Sequence, residues 1–144
     1  MNWGGKRFRL ACVDTPESNY KGRTQYCLDN ETDCGKLAKE ALENIIAEEL
    51  NEVSEICCSW LKKDRYERYL GWCDAGIETT IPFNKSINLE LITSGYAWFY
   101  DGGRECEMFK EPFIKARKEL MGLFNEDLGG FKEPRLWRKA KTND

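Results

Sequence analysis

Phe8-Arg9-Leu10-Ala11-Cys12-Val13-Asp14-Thr15-Pro16-Glu17 reads as a strand that runs straight into a turn carrying two carboxylates. Over residues 6–13, Phe8, Leu10 and Cys12 fall on one face and Arg7, Arg9, Ala11 and Val13 on the other, the alternation of a half-buried strand. Pro16 cannot continue a ladder and biases Thr15 away from helix, so the chain bends where Asp14 and Glu17 stand. Two acids and Arg9 therefore converge on a fixed corner. Carboxylate oxygens beside a guanidinium are what hard-cation binding and general-base attack on a phosphodiester both require.

Beyond the corner, residues 18–33 are polar and rich in turn formers, a long excursion of the kind that often carries function. From Cys34 to Leu50 the positions Leu37, Ala38, Ala41, Leu42, Ile45, Ile46 and Leu50 recur at helical spacing, with Asp33 as N-cap. Val53 to Leu61 and Tyr69 to Cys73 are strand-like runs flanking Lys62 to Arg68, a hairpin with a charged tip, and Ile77 to Phe83 extends the sheet until Pro82. Ser86 caps a short helix bearing Ile87, Leu91 and Ile92, closed by Gly95, and Trp98-Phe99-Tyr100 reads as core packing rather than a base-stacking platform. A third helix carries Phe109, Phe113, Ala116, Arg117 and Leu120, with Pro112 in its first turn and Gly122 at its end. The order predicts a small α+β domain on an antiparallel sheet, spanning residues 1–124, with 125–144 as a C-terminal tail whose Pro134, Leu136 and Trp137 clasp the domain.

Composition narrows the chemistry. At 144 residues and 41% hydrophobic content the chain suits one domain with one core, and no apolar run approaches bilayer length, so no membrane is expected. A net charge of −3 argues against sequence-blind binding of nucleic acid by the whole surface, so a polyanion site must be a local basic patch. The chain has no histidine, which removes Ser-His and Cys-His nucleophiles and argues against zinc. Of the seven cysteines, Cys27 and Cys34 flank a polar loop and offer a disulfide as the alternative to simple packing. Packing is the reading for Cys12, Cys57, Cys58 and Cys73.

Phe8-Arg9-Leu10 followed by Val13-Asp14-Thr15-Pro16-Glu17, then Asp64-Arg65-Tyr66-Glu67-Arg68, then Asn88-Leu89-Glu90-Leu91-Ile92 with Gly95-Tyr96-Ala97, closely resemble the staphylococcal nuclease (thermonuclease) family, in its order. Ala116-Arg117, Gly122-Leu123-Phe124 and Pro134 to Arg138 also look like the tail of many bacterial members. The resemblance implies an oligonucleotide-binding (OB-fold) barrel with three helices and calcium-dependent hydrolysis of phosphodiesters in single-stranded or locally melted DNA and RNA. By that resemblance Arg9 and Arg68 clamp phosphate, Glu17 is the general base, Asp14 binds calcium by its carboxylate and Thr15 by its carbonyl, and Arg65 and Tyr66 contact the nucleotide. The family also carries two earlier strands joined by an Asp-Gly-Asp-Thr-like turn that supplies another calcium ligand. This sequence lacks that segment. The barrel is accordingly expected to be incomplete at its N-terminus and the calcium site weakened, by truncation of a longer product in preference to completion of the sheet by another chain through self-association, or to an incomplete relic of the domain.

Taken singly, Arg9 is an ordinary strand arginine, Asp14 and Glu17 are turn formers, and Arg68 with Asp64 is a surface ion pair. Placed together in the family's order, they encode a nuclease-type site. The alternative is a non-catalytic nucleic-acid-binding or protein-interaction module of the same fold. Secretion or a cell-envelope place is expected if a signal lies upstream, and the cytoplasm otherwise.

Overall fold

Phe8 and Leu10 bury one face of β2 (Lys6–Leu10) while Arg7 is exposed and Arg9 half-buried on the other, as the alternation of the strand dictates. The structure is a computed structural model that describes residues 2–3, 5–52, 56–74 and 86–140. β1 (Asn2–Trp3) pairs antiparallel with β2. On the other side of β2 lies β5 (Tyr69–Asp74), parallel, with Leu70 opposite Arg9, and β4 (Cys57–Lys63) pairs antiparallel outside β5. The sheet is thus mixed rather than antiparallel, because the chain returns through a helix and β4 before β5 and enters that strand by a crossover.

The strand expected over residues 6–13 stops at Leu10. Cys12 adopts the left-handed conformation (φ 68°), which costs a residue with a Cβ about 1–2 kcal/mol. A disulfide to Cys106, a bond from Tyr100 N to the Cys12 carbonyl (3.0 Å) and one from Ala11 N to the Gly71 carbonyl (2.8 Å) sustain that turn. Past it, β3 (Val13–Asp14) pairs with β6 (Trp98–Phe99), Asp14 opposite Trp98. Among the described residues these two sheets are not closed into a barrel. The segment Ile77 to Phe83 lies outside the described residues, as do residues 53–55 of the first hairpin run.

The helices follow the apolar spacing. α1 (Cys34–Glu52) is capped by Asp33, whose carboxylate accepts from Lys36 N at 2.9 Å, and it turns Leu37, Ala38, Leu42, Ile45 and Ile46 to the core. α2 (Ile87–Thr93) is capped by Ser86 and buries Ile87, Leu91 and Ile92. α3 (Lys110–Lys118) ends at a left-handed Leu120 rather than at Gly122, whose place is set by packing: a Cβ there would stand 2.2 Å from the Ser94 carbonyl oxygen. A fourth helix, α4 (Pro134–Lys139), corrects the expected count of three; it buries Pro134 and Trp137 and leaves Leu136 exposed. Trp98 packs on Phe113 (5.0 Å between ring centres) and Phe131 (5.8 Å), so the aromatic run serves the core.

Three disulfides join Cys12 to Cys106, Cys27 to Cys34 and Cys58 to Cys73, and Cys57 is the free thiol. The packing expected for Cys12, Cys58 and Cys73 is corrected. Cys58 and Cys73 are directly opposed across the β4–β5 hairpin, and Cys12 meets a cysteine 94 positions later that only the tertiary fold brings near.

Asn88 is fully buried and stitches these pieces together: its amide donates to the carbonyls of Ala11 (2.8 Å) and Gly71 (3.0 Å), and its oxygen accepts from Cys73 N (3.3 Å). At the hairpin tip, Asp64 accepts from the backbone N–H groups of Tyr66 and Arg68 and from Arg68 Nε. Burial works against the Asp64 charge, but those donors outweigh it and hold the carboxyl below its ordinary value.

Asn88→Ala leaves two carbonyls and one N–H buried without that partner, and is expected to cost about 2–4 kcal/mol in denaturant unfolding. The double variant Cys12→Ser/Cys106→Ser is expected to lose about 3–5 kcal/mol in the same measurement, since the longest loop is released. Because the pKa of Asp64 is lowered on folding, its contribution is complete above the ordinary value of 3.8 and is lost as the pH falls through the folded value. Asp64→Asn should therefore lower stability at neutral pH and flatten part of the acid limb of a stability–pH curve.

Candidate active site

The turn at Cys12 places the acidic corner where β3 leaves β2. Asp14 is nearly buried, with Arg9 Nη2 3.7 Å from its Oδ1, and the Arg9 guanidinium also lies 5.2 Å from the centre of the Tyr100 ring. Both partners of Arg9 are fixed by the β3–β6 ladder and the segment that leaves it. Glu17 follows Pro16 and is held by its backbone: its N–H donates to Gln25 Oε1 (3.1 Å), and its carbonyl accepts from Gln25 N (2.9 Å). Gly35, in the first turn of α1, packs on the same carbonyl, and a Cβ would sit 2.1 Å from that oxygen. Only glycine lets α1 approach this closely.

A third cation enters from the far end of the chain. Arg138, on α4, donates through Nη2 to Asp14 Oδ2 (2.8 Å) and through Nη1 to Asp14 Oδ1 (3.0 Å) and Glu17 Oε1 (3.0 Å). Burial opposes its charge, yet the hydrogen bonds and attraction of Asp14, then of Glu17, more than offset it and raise the Arg138 pKa above the ordinary arginine value. The helix that delivers it is anchored on the loop 18–33. Trp137 is buried under the Arg23 guanidinium, 4.4 Å from its ring centre, with Tyr20 at its edge. The fully buried Gln25 donates to the Lys132 carbonyl (2.8 Å), and Leu28 N donates to the Gly130 carbonyl (2.8 Å).

Of the residues singled out from sequence, Arg9, Asp14 and Glu17 come together, with Thr15 between the two acids. Arg68, Arg65 and Tyr66 gather instead at the hairpin tip. Arg68 is paired with Asp64 (2.8 Å) and stands where the β2–β5 register would place it beside Arg7, while Arg65 lies against the exposed Tyr66 ring. Arg7 donates to the Tyr66 carbonyl and ties the tip to β2. Among the described residues the ion pairs of Asp14 and Glu17 run to Arg9 and Arg138, and none runs to Arg68. Arg138 and Gln25 are site residues that the sequence reading does not single out. The signal for Arg138 was its place beside Trp137 in the apolar clasp; Gln25 gives none, since a buried glutamine looks like any loop glutamine in sequence.

The donors at the corner are carboxylate and carbonyl oxygens, the type that calcium takes. A guanidinium seated across both Asp14 oxygens is a stand-in cation and marks the corner as built for positive charge. Among the described residues no group of three or more His, Cys, Asp or Glu gathers, so water or substrate oxygens would have to complete a coordination shell.

A comparison with curated proteins returned no match. The family model described as staphylococcal nuclease homologue matches residues 7–126, which takes in β2, the acidic corner, the hairpin tip and α3 and stops short of α4. With the order of motifs and the α+β architecture in agreement, this chain belongs to the staphylococcal nuclease homologue family.

Proposed function

We propose that the protein is a nuclease that hydrolyses phosphodiester bonds of DNA or RNA, on single-stranded or locally melted substrate. The observation that carries this reading is the corner itself, where Arg9 lies within ion-pair reach of Asp14 and Arg138 joins Asp14 to Glu17, on backbone fixed by hydrogen bonds. Glu17 is the general base: one of its carboxylate oxygens binds Arg138, leaving the other to accept a proton from water as the water oxygen bonds to phosphorus and the ester P–O bond breaks. Arg9 and Arg68 neutralise the charge that gathers on the phosphoryl oxygens. Asp64 engages Arg68 through Nε, which leaves the two terminal amino groups as the donors that would meet phosphate. Arg65 and Tyr66 receive the nucleotide, Tyr66 by its exposed ring. A divalent ion, calcium by family likeness, would be held by the Asp14 carboxylate and the Thr15 carbonyl and would add positive charge beside the phosphate.

The nuclease-type barrel belongs to the same reading. Three disulfides support a working place in an oxidising compartment. A second reading, a non-catalytic binding module, is favoured by one observation: Arg68 lies on Asp64 rather than at the acidic corner. It predicts salt-sensitive binding of nucleic acid without turnover.

Under the first reading, purified protein cleaves single-stranded DNA with calcium and stops when a chelator is added. Glu17→Gln and Arg68→Ala each lower kcat by about 10²–10³-fold while circular dichroism stays unchanged. Unchanged turnover in either variant would remove that residue from the mechanism.

A further inference from the structure

Arg138 is a permanent cation placed where a divalent ion would have to bind. Its guanidinium faces Asp14 end-on, one terminal amino group on each carboxylate oxygen, and Nη1 is shared with Glu17. This fork geometry uses the same two oxygens that a chelated cation would take. With Arg9 as the other neighbour, two guanidiniums balance two carboxylates, and the corner as folded carries no net charge. A calcium ion approaching Asp14 meets like charge, and each carboxylate oxygen already accepts one hydrogen bond from Arg138. The backbone around Arg138 is held by the buried Trp137, by the bond from Arg23 to the Arg138 carbonyl (3.4 Å) and by Gln25 on Lys132, so α4 fixes the stem of the arginine beside the corner.

We propose that Arg138 is the resident counter-cation of the Asp14–Glu17 corner and that a divalent cation and Arg138 are alternative partners of Asp14, so that α4 sets the cation affinity of the site. The inference rests on the reading of the corner as a divalent-cation-dependent nuclease site. It makes Arg138 a positioning residue for the two acids in the cation-free protein and the determinant of how much calcium is needed to displace it. By linkage the effect is reciprocal: whatever the arginine contributes to the fold through Asp14 must fade as calcium fills the site.

The test is calorimetric titration of calcium chloride into the full chain. Arg138→Gln is expected to bind calcium at least about tenfold tighter than the wild type, since a like charge and a competing donor pair are gone. Arg138→Lys, which keeps the charge but loses the fork, should fall between them and serves also if the glutamine variant is poorly folded. Adding Asp14→Asn to Arg138→Gln should abolish the gain. In thermal unfolding, the drop in Tm caused by Arg138→Gln should shrink at saturating calcium. Equal or weaker calcium binding by both variants, with cleavage by the wild type intact, would overturn the inference and leave the nuclease reading standing. Absence of both calcium binding and cleavage in every form would overturn the nuclease reading and the inference with it.

Discussion

The left-handed turn at Cys12 is the constraint on which the site depends. It ends β2 after Leu10, so that Arg9 stays on the four-stranded sheet while Asp14 joins a different ladder opposite Trp98. A straight strand through residue 13 would carry both side chains along one sheet and would not fold the acids back toward the arginine. The turn is energetically unfavourable by itself and survives because four bonds converge on it. These are the disulfide to Cys106, the Tyr100 and Ala11 backbone bonds, and the amide of the buried Asn88 on the Ala11 carbonyl. Local strain is held by tertiary structure.

The second half of the corner is built by the loop 18–33 acting as a receptor for the tail. Gln25, with no solvent exposure, contacts Glu17 on one side and Lys132 on the other. Satisfying a buried amide in this way fixes the acid and the approach of α4 in one network. The Cys27–Cys34 disulfide closes that loop at the entrance to α1, and Gly35 lets the helix press on the Glu17 carbonyl. Arg138 then lands on both acids. A single network thus links Glu17, Asp14 and the last helix.

Legibility varied with the range of the interaction. α1 and α2 were read from apolar spacing with their caps at Asp33 and Ser86, because capping and periodicity act within a few residues. The β4–β5 hairpin was read as well, and its Cys58–Cys73 bridge was within reach, since the two cysteines are roughly equidistant from the tip. The parallel pairing of β2 with β5 and the Cys12–Cys106 bridge were not legible. They join segments far apart in sequence, and no local rule of spacing or propensity records which distant strand or thiol is chosen. The fourth helix was read only as an apolar clasp, because six residues are too few for a periodic signal.

By itself the sequence determined the family, the strand into an acidic turn, and the absence of histidine that leaves carboxylates and guanidiniums as the chemistry on hand. Those are properties of residue type and short-range order. Only the tertiary structure decided which cations meet which acids: Arg9 and Arg138 at the corner, Arg68 on Asp64 at the hairpin tip. The physical reason is that an ion pair is selected by distance in space, and the span from Asp14 to Arg138 is closed by packing of Trp137 and by buried hydrogen bonds that no window of sequence contains.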